Sequence, residues 1–336
     1  MCLITSQFKA YKLTEEITAY KLVKKATDKK DIYYSPFQGA VYDFNSKSSP
    51  IRLSTGKKEE ITLTNHGNKN SLGGGWLHAL LNPSEYPLYQ DKYVILKVKI
   101  PTHVGVEGNR IDTVVYISDN MNEICTNNMY IYDEVVDINS AKVDLSDDEN
   151  FPINFELPEG IDISYSDSDN NINLTVNSHS YTHSYTLVTS SPNFNSSVQW
   201  AKVKPASDIT SEFTDLPQSY KAAKQYFNGK KDTDFIKNLE TTYEGENNNN
   251  ICYEAIKKLQ NEEYLPSVGE LDEIMQYQHY INYKLKCKGS DKLIQNATYF
   301  SSTPYSINNV WTVNTEYLTD YNYYSRQNKC LFLPVK

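Results

Sequence analysis

The stretch Tyr264-Leu265-Pro266-Ser267-Val268-Gly269-Glu270-Leu271 constrains this chain more than any other. Ser267 followed by Glu270 is the pattern of a capping box: the serine hydroxyl can take the Glu270 N–H, and the carboxylate can take the Ser267 N–H. Pro266 fixes its own φ and pushes Leu265 out of the helical region, so an extended segment must end there. Apolar residues then recur at Leu271, Ile274, Met275, Ile281 and Leu285, close to helical spacing. The spacing predicts one helix, started at Ser267, with a buried face against which the later strands pack. No stretch of the chain reads as an active site, so its function has to be approached through its architecture.

Around that helix the sequence divides into three expected domains. Residues 1–128 read as a mostly-β N-terminal attachment domain, with strands at 17–24, 40–44 and 93–100. The strand at 93–100 is the strongest in the chain, and residues 112–118 are its expected partner. Residues 129–207 carry short alternating runs separated by turn residues, the pattern of a small antiparallel β-sandwich acting as a spacer. Residues 208–336 change character to α+β: a helix at 219–227 ended by Asn228-Gly229, a short helix capped at Asp232 or Thr233, an amphipathic helix carrying Ile251, Ala255, Ile256 and Leu259, the helix from Ser267, and strands at 297–302, 310–314 and 330–335. The expected fold class is therefore multidomain, β-rich and then α+β.

With 336 residues, each domain can bury a sizeable core. A formal net charge of −9 argues against a nucleic-acid surface, which needs clustered Lys and Arg. Five dispersed cysteines, with neither a CxxC pair nor metal-site spacing, fit free thiols in a reducing cytoplasm. The first residues show no signal-peptide pattern, and no apolar run is long enough to span a bilayer. Release by cell lysis would reconcile these features with a protein that acts outside the cell. The 28 tyrosines offer large, stiff, amphipathic contact area suited to interfaces and to stacking on carbohydrate. AT-rich coding bias would raise the tyrosine count as well.

Three features invite a chemical reading, and each has a plainer one. Gly73-Gly74-Gly75 lacks the spacing of a phosphate loop and reads as a turn. His78, beside Trp76, has no recognisable catalytic partner and reads as a half-buried structural histidine. Asp167-Ser168-Asp169-Asn170-Asn171 lacks the Gly and Glu of a calcium loop and reads as a hairpin tip. No catalytic, cofactor or metal residues are assigned.

The last third resembles the C-type-lectin-like domains, related to the formylglycine-generating-enzyme fold, common in Bacteroides and their phages. The resemblance runs through Gly229-Lys230-Lys231-Asp232-Thr233, Cys252, Leu265-Pro266-Ser267 with Glu270-Leu271, Ile281-Asn282, Phe300-Ser301-Ser302-Thr303, Trp311 and Leu333-Pro334-Val335. It departs from the family pattern at Phe300, where Trp is usual, and at Leu333, where Arg is usual. It implies a display scaffold; the Glu-Pro-Asn and Trp-Asn-Asp motifs of calcium-dependent lectins are absent. The first unit is similar, more loosely, to uncharacterised proteins of gut Bacteroidales phages, through Met1-Cys2-Leu3-Ile4-Thr5, Ser35-Pro36-Phe37, the step from Gly75 to His78, and Ile100-Pro101-Thr102.

Together these resemblances imply a modular virion protein of crAss-like phages, a head-fibre or tail-fibre component exposed on the particle. Its expected partners are other virion proteins and further copies of itself, as a trimer or dimer. It is expected to need no cofactor, nucleic acid or membrane. The alternative is an adhesin that binds host surface glycan, with Trp311, Tyr317, Tyr321, Tyr323 and Tyr324 as the candidate ligand or interface residues. Against that stands the reading in which Trp311 is core and the tyrosines pack between subunits. An ADP-ribosyltransferase-like enzyme is the third option, and no placed catalytic glutamate or nucleophile supports it.

Overall fold

The computed structural model describes residues 3–36, 39–46, 49–55, 70–72, 75–85, 93–141, 143, 153, 155–200, 216–243, 254–306, 309–315, 320–325 and 328–336. These form a mostly-β, multidomain protein of two compact units, the first mainly residues 1–157 and the second mainly residues 158–336.

The first unit is built on an antiparallel sheet of ten strands. At its centre Ile17–Lys25 runs against Tyr93–Ile100, in register from Ile17 opposite Ile100 to Lys24 opposite Tyr93. Alternation explains the pairing: Leu96, Val98 and Ile100 are buried, while Lys97 and Lys99 reach the surface and pair with Glu134 and Glu16. The expected partner of this strand is placed elsewhere. Val114–Ile117 pairs with Glu123–Thr126 and Tyr11–Lys12, after the hairpin His103–Val106/Asn109–Asp112 has carried the chain away. The expected boundary at 128/129 coincides with the start of the strand Asn128–Val135, which pairs with both Tyr93–Ile100 and Ile51–Ser54 and so belongs to this sheet. A strand's own pattern shows that one face is buried, but not which sheet it joins.

The second unit opens with a three-stranded meander, Ile161–Ser166, Asn171–Asn177 and Thr182–Leu187. The acidic stretch is the tip of its first hairpin, where Asn170 takes a left-handed φ of 56°. A second sheet, of five strands, orders Ser197–Gln199, Lys329–Leu331, Thr298–Pro304, Asn309–Asn314 and Asp320–Ser325. Because Ser197–Gln199 pairs with Lys329–Leu331, the chain on the two sides of the expected 207/208 boundary shares one sheet. The described residues between 129 and 207 therefore divide between sheets and, among themselves, close no separate sandwich.

Among the described residues, five α-helices accompany these sheets: α1 (Tyr220–Ala223), α2 (Gly229–Tyr243), α3 (Glu254–Lys257), α4 (Val268–Gln276) and α5 (Gln278–Cys287). Gly229 begins α2 and does not terminate its predecessor. Its missing side chain is required, since a Cβ there would collide with the Glu270 carboxylate and lie 2.5 Å from the Ser267 nitrogen. The helix expected from Ser267 to Leu285 is two helices. The chain turns at Tyr277 (φ −105°, ψ 14°), and α5 is then fixed by Asn282, whose side chain donates to Ile294 O at 2.8 Å and accepts from Ile294 N at 2.7 Å.

Candidate functional site

The start of α4 is wired as its sequence requires. Glu270 Oε2 accepts the N–H groups of Ser267 at 2.7 Å and of Gly229 at 3.1 Å. The Ser267 hydroxyl donates to Tyr226 O at 2.7 Å. Thr233 brackets Leu265, accepting its N–H at 3.1 Å, and Thr303 Oγ1 accepts the N–H of Val268 at 3.1 Å. Asp232 accepts from the Tyr226 hydroxyl at 2.9 Å and the Ser302 hydroxyl at 3.4 Å. Burial pushes the Asp232 carboxyl up to about 7 against the pull of the Tyr226 bond, and burial likewise raises Glu270. All of these side chains are buried. They hold two helix starts and a strand together and present nothing to a ligand.

The residues expected to bind or assemble lie on the five-stranded sheet. Trp311 is 5% exposed; its indole N–H donates to Pro217 O at 3.1 Å, and Tyr305 meets it edge-on at 5.2 Å. It is a core residue. Tyr323, opposite Trp311 in register, is 48% exposed and stacks on Tyr305 with ring centres 4.2 Å apart and planes 8° apart. Tyr324 is half-buried, and the Tyr321 backbone pairs with Val313. Tyr317 lies outside the described residues. The structure thus brings Trp311 and Tyr323 together as wall and cover of one aromatic cluster.

A different place in the second unit is concave. A half-open cleft of about 490 Å³ is lined by Tyr181, His183, Lys224, Gln225, Phe227, Gly269, Asp272, Glu273, Gln276 and Tyr277. Three local structures supply it. In the meander strand Thr182–Leu187, alternation sets His183 and Tyr185 on one face, and Tyr181 precedes them at the hairpin turn. After α1, whose first turn is capped by Ser219, the chain delivers Lys224, Gln225 and Phe227. α4 contributes the floor. Gly269 lets that floor approach closely, for its N–H donates to Tyr226 O at 3.1 Å and an added Cβ would lie 2.5 Å from that same oxygen.

The cleft wall is held rigidly. Tyr181 stacks on His183 (4.4 Å, 23°), and Phe227 packs against the histidine ring at 4.4 Å. Glu273 Oε2 lies 2.8 Å from His183 Nδ1 and accepts from the Tyr185 hydroxyl at 2.6 Å, so one buried carboxylate orients both rings. Burial, then the bond to Glu273, drives the Tyr185 hydroxyl far above its ordinary range. Tyr277 is pushed up to about 12, by burial first and then by the Glu273 charge. Gln276 Nε2 donates to Asp272 Oδ2 at 3.0 Å. Sequence reasoning did not single out this site, whose three segments are far apart along the chain. The one available signal was the Tyr181/His183/Tyr185 alternation, two rings on one strand face and the first at the turn before it.

Elsewhere, His78 sits in the strand Leu77–Leu80 with its ring Nδ1 3.0 Å from Cys125 Sγ, and its carbonyl accepts from Lys21 at 2.6 Å. Burial lowers the Lys21 ammonium to about 8. Cys125 is fully buried in the core with Trp76 and Tyr116, out of reach of a substrate. Among the described residues, no group of three or more His, Cys, Asp or Glu is placed to hold a metal ion, and no helix is long and apolar enough to cross a membrane.

No family profile matches this chain, and no curated protein matches it. Among solved structures, a fimbrial protein from Bacteroides ovatus aligns at 13% identity with a TM-score of 0.35. The alignment covers 96% of this chain, which spans 64% of that protein's length.

Proposed function

We propose that this chain is a non-catalytic structural protein of a phage particle, a head-fibre component that decorates the capsid and displays its second unit as a C-type-lectin-like module. What supports the reading is the fate of the motif residues. Gly229, Asp232, Thr233, Leu265, Ser267, Glu270, Ser302 and Thr303, which carry the resemblance, converge on one buried hydrogen-bonded knot. Residues spent on holding a scaffold together suit a presented module better than a catalytic one. In this reading the first unit grips other virion proteins. The strand Asp320–Ser325, last in its sheet and carrying exposed Tyr323, supplies a face for packing against further copies.

The test is mass spectrometry of purified virions of the encoding phage, followed by placement of the chain in a reconstruction of the particle. Stoichiometric presence on the capsid surface is the expected result, and absence from washed particles removes the proposal. The second reading, a tail-fibre adhesin recognising host glycan, is favoured by the aromatic cleft and would put the same chain at the tail.

A further inference from the structure

We propose that the cleft of the second unit is a saccharide site, taking the flat C–H face of a neutral pyranose ring on Tyr181 and its hydroxyls on Gln276 and Gln225. The inference rests on the display reading only for its biological setting; its chemistry comes from the site.

Tyr181 is 46% exposed although one of its faces is covered by His183, which leaves the ring as a platform on the open side. The platform is stiff. His183 is clamped between Tyr181 and Phe227 and oriented by Glu273, which is itself held by Tyr185. A ligand that stacks there need not order the wall, and preorganisation of this kind converts contact area into affinity. Gln276 also lines the cleft, and its amide offers two donors and an acceptor oxygen. The bond from Gln276 to Asp272 therefore fixes that side chain while leaving a donor and an acceptor for hydroxyls. Gln225, which also lines the cleft, is exposed and adds a second amide. The volume, about 490 Å³, falls in the range of small-ligand sites.

The charges argue against the other ligand classes. Lys224 lines the cleft together with Asp272 and Glu273, so the lining offers a phosphate or sulfate no excess of positive charge. An aromatic cage that captures ammonium groups needs carboxylate charge facing the ligand. Here the Glu273 oxygen that carries the contacts is committed to Tyr185 and His183, the Asp272 and Glu273 residues are nearly buried, and Lys224 also lines the cleft. Stiff aromatic face, fixed amides and balanced charge describe a neutral, hydroxyl-rich ring.

The experiment applies the full chain to an array of bacterial surface polysaccharides and the neutral oligosaccharides derived from them. Wild type is compared with Tyr181→Ala, Tyr181→Phe and Tyr323→Ala, with circular dichroism confirming that each variant is folded. Retention of pyranose glycans is expected, falling by about tenfold or more in Tyr181→Ala and persisting in Tyr181→Phe and Tyr323→Ala. Excess choline, the probe for cation capture, is expected to leave retention unchanged. The proposal is overturned by absence of any retained glycan, by retention that survives Tyr181→Ala, or by displacement with choline. Failure here is separable from failure of the display reading. A chain present on virions that retains no glycan sinks only the cleft; a chain that retains glycan through Tyr181 yet is missing from virions sinks only the virion assignment.

Discussion

The aromatic clusters around Trp311 and around His183, both in the second unit, are built in opposite ways. Around Trp311, the indole is inside, its N–H is satisfied by Pro217 O, and Tyr323 lies over it as an exposed cover stacked on Tyr305. Around His183, the rings stand at the edge of a concavity and are oriented by a carboxylate, Glu273, that reaches them from α4. The first cluster fills space. The second keeps space open, and its polar anchor costs desolvation that only a required geometry would offset. Aromatic content alone does not separate the two; the position of the polar partner does.

Four measurements would break or sharpen this contrast. The largest effect is expected at Trp311. Trp311→Ala should lower the stability of the second unit by about 3–5 kcal/mol in urea unfolding, because it empties a core position. A cost below about 1 kcal/mol would mean that the ring is cover and not core. Next comes Glu273→Ala, which strands the buried Tyr185 hydroxyl and frees His183. It should cost about 1–3 kcal/mol and abolish glycan retention together. Loss of stability with retention intact would show that the carboxylate does not set the platform.

The third effect is a slope. Tyr277 has its hydroxyl raised from 10.0 to about 12 in the folded state, so the fold favours its neutral form. The unfolded chain releases that proton first, and the stability the group contributes is lost as pH climbs from about 10 through about 12. Tyr277→Phe should therefore flatten the alkaline decline of the melting temperature; an unchanged slope would show that this hydroxyl is solvated. Smallest of all, Tyr181→Ala and Tyr323→Ala should each shift stability by less than about 0.5 kcal/mol, since both rings are nearly half exposed. A larger loss at Tyr181 would make it part of the fold and not a platform.

Much of the second unit could be read in advance because its signals are local. The capping box at Ser267 and Glu270 forms, and the stretch Asp167–Asn171 turns as a hairpin tip between the strands on either side of it. The errors came where local patterns met distant choices. Leu271 to Leu285 keep helical spacing across Tyr277, yet the chain bends there because Asn282 and Gln278 are drawn to Ile294. The alternation of residues 112–118 promises a strand, but the partner was decided by an intervening hairpin. For Trp311 the sequence left a ligand-stacking ring and a core ring both open, and the distant Pro217 carbonyl that takes its N–H goes with the core position.

By itself the sequence determined the start of α4 and which strand faces are apolar. Those depend on spacings of two to four residues, which backbone geometry translates directly into faces and caps. Only the tertiary structure decided the number of compact units, the sheet each strand joined, and the cleft. The cleft draws on residues near 181, 225 and 273, and no local rule couples side chains separated by forty residues or more. Packing α4 under the meander brings Glu273 to His183, and that single long-range contact turns scattered tyrosines into a site.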